Sequence, residues 1–160
     1  MRKPSLPDLA LTSFILAAAA IPSFSAAQSV TDCDQRARPD AIVEPWSANS
    51  RSFSNGAVRV ALLDSIEPAS GAFDLLVLSP PRDQMGARQC RLVSLDGALG
   101  FAALDFAAMR ASYNPARGLT LRLTGKAFSP ADGVTRPIRL SVTINQATGK
   151  VSAKVRPAGK

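Results

Sequence analysis

The chain has 160 residues, 46% hydrophobic and 19% charged, with 19 Lys and Arg against 12 Asp and Glu for a net charge of +7. It contains no histidine, which excludes Ser-His-Asp catalysis, imidazole general bases and histidine-ligated zinc. The length suits one domain with its own core and is short for two.

The first element reads as an export signal. Arg2 and Lys3 precede an apolar run over 9–22, LALTSFILAAAAIP, and the small residues Ser25 and Ala27 follow it. The run is shorter than the roughly 20 residues of a membrane span, and Pro22 ends it. The pattern predicts a cleaved secretory signal peptide over 1–27, leaving Gln28 as the new N-terminus. No later segment predicts a transmembrane span, because the most apolar stretch, 92–109, is broken by Asp96, Gly97 and Asp105. Arginine outnumbers lysine 14 to 5, a bias that fits a GC-rich bacterial genome, so the expected location is periplasmic or secreted.

Two cysteines, Cys33 and Cys90, lie beyond the signal. In an oxidising compartment such a pair is expected to form a disulfide. Closing a loop of about 58 residues would stabilise the fold by roughly 4 kcal/mol. The residues over 28–56 are rich in Asp, Arg, Pro, Ser and Asn, with 41–43 and Trp46 as apolar anchors. They predict an irregular lead-in. The order Cys33, Trp46, Cys90 is that of immunoglobulin domains, but Cys33 leaves no room for a preceding strand. Arg88 also stands where a tyrosine corner would place Tyr.

From residue 57 to 160 the pattern predicts one antiparallel β domain. Val58, Val60 and Leu62 alternate with Arg59 and Ala61, a half-buried strand. The run AFDLLVLS over 72–79 is apolar on both faces apart from Asp74, which predicts a central, covered strand. A third strand over 88–95 carries Cys90. The stretch near 103–112 admits a short helix by its alanine content or a hairpin arm by the NPARG turn that follows. The strand is the reading favoured here.

The last third alternates most clearly. Leu119, Leu121 and Leu123 interleave with Thr120, Arg122 and Thr124; Ile138, Leu140, Val142 and Ile144 with Arg139, Ser141 and Thr143; Val151, Ala153 and Val155 with Ser152, Lys154 and Arg156. SPADG and NQATGK supply turns between them, with Gly149 where a left-handed residue is wanted. About seven or eight short strands in all predict an all-β fold, a single antiparallel β-sandwich or small barrel. One Trp and one Tyr cannot form the two aromatic girdles of an outer-membrane barrel.

Charge is divided unevenly. Residues 28–109 carry 7 basic and 10 acidic side chains, whereas 110–160 carry 10 basic and 1 acidic. The alternation places Arg122, Lys126, Arg139, Lys154 and Arg156 on one solvent face, a candidate anion-binding surface. Nucleic acid is not an expected partner, since no aromatic residues interleave with these cations to stack bases. The carboxylate pairs Asp32 with Asp34 and Asp96 with Asp105 read as turn or surface residues, and no serine is motif-spaced to a lysine. No catalytic residue, metal site or cofactor is expected. The sequence therefore points to an exported small binding protein that recognises an anionic envelope polymer through a basic sheet face. The alternative is a structural or assembly subunit that pairs with another exported protein, and an enzyme ranks third.

Overall fold

Residues that alternate apolar and polar have one dry side and one wet side when extended, and they are driven to pair. In the computed structural model, which describes residues 29–159, they form two antiparallel five-stranded sheets. The N-terminal sheet contains β1 (Ser29–Asp32), β2 (Ser50–Phe53), β3 (Val58–Asp64), β4 (Phe73–Arg82) and β5 (Arg88–Ser94), in the order β1-β5-β4-β3-β2. The C-terminal sheet contains β6 (Ala103–Leu104), β7 (Arg110–Asn114), β8 (Gly118–Ser129), β9 (Val134–Ile144) and β10 (Val151–Pro157). Its order is β10-β9-β8, and β6 and β7 share the remaining edge of β8. The two sheets form a sandwich and do not close into a barrel. The proposed signal over 1–27 lies outside the described residues, among which no helix is long and apolar enough to cross a membrane.

The core lies between the sheets. Val58, Val60 and Leu62 of β3, Leu75 and Val77 of β4, and Val93 of β5 meet Leu121 and Leu123 of β8 and Leu140, Val142 and Ile144 of β9, all buried. Phe101, on the segment that carries the chain from one sheet to the other, and Phe106, between β6 and β7, are buried in the same layer. Each sheet is built from one continuous half of the chain. The uneven charge of the sequence thus becomes a difference between layers, and Arg110, Arg122, Lys126, Arg139, Lys154 and Arg156 stand on the face of the second sheet turned away from the first.

The lead-in is more ordered than its composition predicts. It supplies β1 and β2, the two edges of the N-terminal sheet, together with a 3-10 turn (Pro39–Ala41) and one helical turn (Trp46–Asn49). Edge strands pair on one side only, so four residues with little apolar content suffice, and such segments carry no clear alternation. Between these edges the lead-in lies over the outer face of the sheet. Ala41 is buried there against Leu63 and Leu92, with Ala37, Ile42 and Leu76 around them. This cover explains why β4 is apolar on both faces.

No helix forms over 103–112. Ala103 and Leu104 pair with Lys126 and Gly125, the Asp105 amide donates to Thr124 O at 2.8 Å, and Phe106 and Met109 turn into the core. Burial of these two large side chains and pairing with β8 override the helix propensity of the alanines. Cys33 and Cys90 are joined, with Cα atoms 5.4 Å apart. Contrary to the expectation that Cys33 leaves no room for a preceding strand, the bridge begins where β1 ends, and the Cys33 amide donates to Cys90 O at 3.3 Å, so it prolongs the β1–β5 pairing. Trp46 is 48% exposed and packs no disulfide, unlike an immunoglobulin tryptophan.

Candidate functional site

Register turns the outer face of the C-terminal sheet into a grid. Residues directly opposite across an antiparallel pair share a face, with Cβ atoms about 5 Å apart. Arg110 on β7 stands opposite Arg122 on β8, Arg122 opposite Ser141 on β9, and Ser141 opposite Lys154 on β10. The next row toward one end holds Thr124, Arg139 and Arg156. The next row toward the other end holds Ser112, Thr120, Thr143 and Ser152. Leucines and valines at the intervening positions face the core, which fixes this side as the wet one.

The turns at the ends hold the register. At the β7–β8 turn the Asn114 side chain accepts the amides of Ala116 and Arg117, at 3.0 and 3.2 Å. Gly118 then has φ +94°, and a Cβ there would lie 2.2 Å from Ile144 O, so only glycine lets β8 pass β9 so closely. On the face itself Arg122 Nη1 donates to Ser112 Oγ at 2.9 Å, and the Thr120 and Thr143 hydroxyls are 3.3 Å apart.

Two open depressions, of about 560 and 460 Å³, cross the grid and meet at Arg122, Ser141 and Lys154. Arg110, Arg139 and Arg156 line the first; Arg117 and Lys150 line the second. No Asp or Glu lines either one. Among the described residues none of these seven cations forms a salt bridge. The one carboxylate in 110–160, Asp132, is at the tip of the β8–β9 hairpin and is engaged by Arg136, whose hydrogen bonds hold its carboxyl well below the ordinary range. Clustered cations over a low-dielectric core give a positive potential that draws anions from solution.

All five cations singled out from the sequence project from this outer face. Arg122, Arg139, Lys154 and Arg156 line the depressions; Lys126 does not. It stands opposite Pro137 and Ala103, one row beyond Thr124. The sequence reading missed Arg110, Arg117 and Lys150. Arg110 was accessible in principle from the alternation of Arg110, Ser112 and Asn114 with Ala111 and Tyr113, whereas Arg117 and Lys150 sit at turns, where alternation says nothing.

The carboxylate pairs are occupied elsewhere. Asp96 accepts the amides of Ala98 and Leu99 at 3.1 and 2.8 Å, and Asp105 accepts Ala108 N at 3.0 Å. Asp32 pairs with Arg91 and Asp34 with Arg36. Among the described residues no three His, Cys, Asp or Glu side chains are grouped to hold a metal ion. Fold and surface together define an all-β, disulfide-linked sandwich with one strongly basic sheet face. No protein-family model, curated protein or solved structure matches the chain.

Proposed function

We propose that this is an exported binding protein, periplasmic or secreted, that takes an anionic component of the cell envelope on the outer face of its C-terminal sheet. The observation that supports this most is the set of seven cations around two joined depressions with no carboxylate among the lining residues. The disulfide and the signal-like N-terminus favour the export part of the reading. Sequencing the N-terminus of protein recovered from the periplasm or medium tests that part, with Gln28 expected. For the binding part, retention on heparin resin is expected to fall steeply with salt, since each ion contact formed releases bound counterions. Retention that survives the triple substitution R122Q/R139Q/K154Q unchanged removes the reading.

A second reading, an assembly subunit that pairs strand to strand with another exported protein, is favoured by β7. All five of its residues are exposed, and among the described residues its outer edge faces no further strand. Gel filtration across a concentration series tests it, with self-association the supporting result.

A further inference from the structure

Two arginine pairs on the basic face stand directly opposite one another, Arg110 against Arg122 and Arg139 against Arg156. Like charges in this position oppose strand pairing, and no neighbouring carboxylate relieves either pair among the described residues. Each pair therefore offers two guanidinium groups to one external anion. Guanidinium groups match the oxygens of sulfate, phosphate and carboxylate with paired N–H donors. From strand spacing and rise, the centres of the two pairs lie about 12 Å apart along the sheet.

Beside the arginine pairs, and beside Lys154, which stands opposite Ser141, the face is rich in hydroxyl groups. Ser141 lies between the pairs, and the adjoining row consists of Ser112, Thr120, Thr143 and Ser152. Hydroxyls both donate and accept, which suits a ligand that carries many hydroxyls of its own. The depressions are lined by no aromatic side chain, so nucleobases would find nothing to stack on. They also lack the exposed apolar anchors on which protein interfaces centre.

We infer that the basic face is a docking surface for an anionic polysaccharide, with the two opposed arginine pairs binding acidic groups on successive units, Ser141 lying between them, and the serine and threonine row beside the Arg110–Arg122 pair binding sugar hydroxyls. The inference rests on the anion-binding reading above and names its ligand class.

The test uses a heparin hexasaccharide, an inorganic polyphosphate and a single-stranded DNA at matched charge, titrated against the whole protein at low salt. The hexasaccharide is expected to bind at least about tenfold more tightly than either of the others. R110Q/R139Q, which removes one arginine from each pair, is expected to weaken it about tenfold or more while raising the thermal midpoint, because like-charge repulsion is relieved. S112A/T120V/T143V/S152A retains every cation and is expected to weaken the hexasaccharide about fivefold but polyphosphate less than twofold. Thermal melts of each variant confirm folding, and S112A/S152A serves if the fourfold change does not fold. Equal binding of all three probes, tighter binding of DNA, or hydroxyl variants that weaken both anions alike overturns the polysaccharide assignment and leaves anion binding standing. Failure of all three probes to bind overturns both.

Discussion

Arg36 covers Asp74. The lead-in carries the arginine across the outer face of the N-terminal sheet until its Nη1 is 3.3 Å from Asp74 Oδ2 and 3.3 Å from Ser94 Oγ, while its Nη2 binds Asp34 at 2.8 Å. Asp74 is the one buried charged side chain among the described residues, at 1% exposure. Removing the partner of a buried charge costs more than the pair contributes, because the remaining charge stays desolvated. R36A is therefore expected to lose about 3 kcal/mol in urea denaturation. D74N, which fits the same space without a charge, should change stability by less than about 1 kcal/mol, and R36A/D74N should recover most of the R36A loss. Additive single effects would show that Arg36 acts through packing or through Asp34 alone.

The same cluster predicts two opposed pH effects. Burial raises the Asp74 carboxyl above its ordinary value, against the hydrogen bond from Ser94 and the charge of Arg36. Its contribution to stability is full below the unfolded carboxyl value, about pH 4, and is lost as pH rises through the raised folded value. Asp34 is shifted down, first by its hydrogen bonds to the Arg36 side chain, so its contribution is present above about pH 4 and lost as pH falls through the lowered value. Compared with the native protein, D74N should gain less stability on acidification from neutral pH toward pH 4. D34N should lose less below pH 4. Parallel stability curves for the native protein and both variants over pH 2 to 7 would remove this account.

The Cys33–Cys90 bridge ties an edge strand of four residues to β5. C33S/C90S is expected to lose about 2–4 kcal/mol. The loss should be local before it is global, since β1 has little else to hold it. Amide hydrogen exchange at Val30 and Thr31 should accelerate far more than at Leu121 or Leu140 in the central strands of the other sheet. Equal acceleration in both places would mean that the bridge acts on the whole fold through the unfolded chain alone.

The strands of the last third were legible because each alternates without a break. β8, β9 and β10 declare a dry and a wet side over 119–124, 138–144 and 151–156, and the wet side of that pattern contains four of the groove-lining cations. β1 and β2 were not legible, because four residues paired on one edge need no apolar face. Residues 103–112 stayed open between strand and helix because of their alanines, whose helix propensity is outweighed once Phe106 and Met109 are buried. Lys126 shows the limit on the site itself. Alternation gives the face of a side chain, but its neighbour across the sheet depends on register, set at Asn114 and Gly118 and not by the periodicity. The opposition of Arg110 and Arg122 was invisible for the same reason.

Gly149 locks the two sheets together at the β9–β10 turn. Its φ is +76°, and a Cβ there would lie 2.5 Å from Pro81 Cδ of the opposite sheet. Its carbonyl accepts Gln89 Nε2 at 2.7 Å, and the same amide reaches Ser79 Oγ and Pro80 O at 2.9 and 2.8 Å. G149A meets both a left-handed backbone and a rigid proline ring, so a loss of more than about 2 kcal/mol is expected. G133A supplies the control, since Gly133 has φ +69° but open space around it, and should cost only the backbone part, about 1 kcal/mol. Q89A removes the amide that joins the turn to β4 and should couple to G149A, the double variant losing at least 0.5 kcal/mol less than the sum of the singles. Equal losses for G149A and G133A would show that Pro81 moves aside freely and that the turn does not lock the sheets.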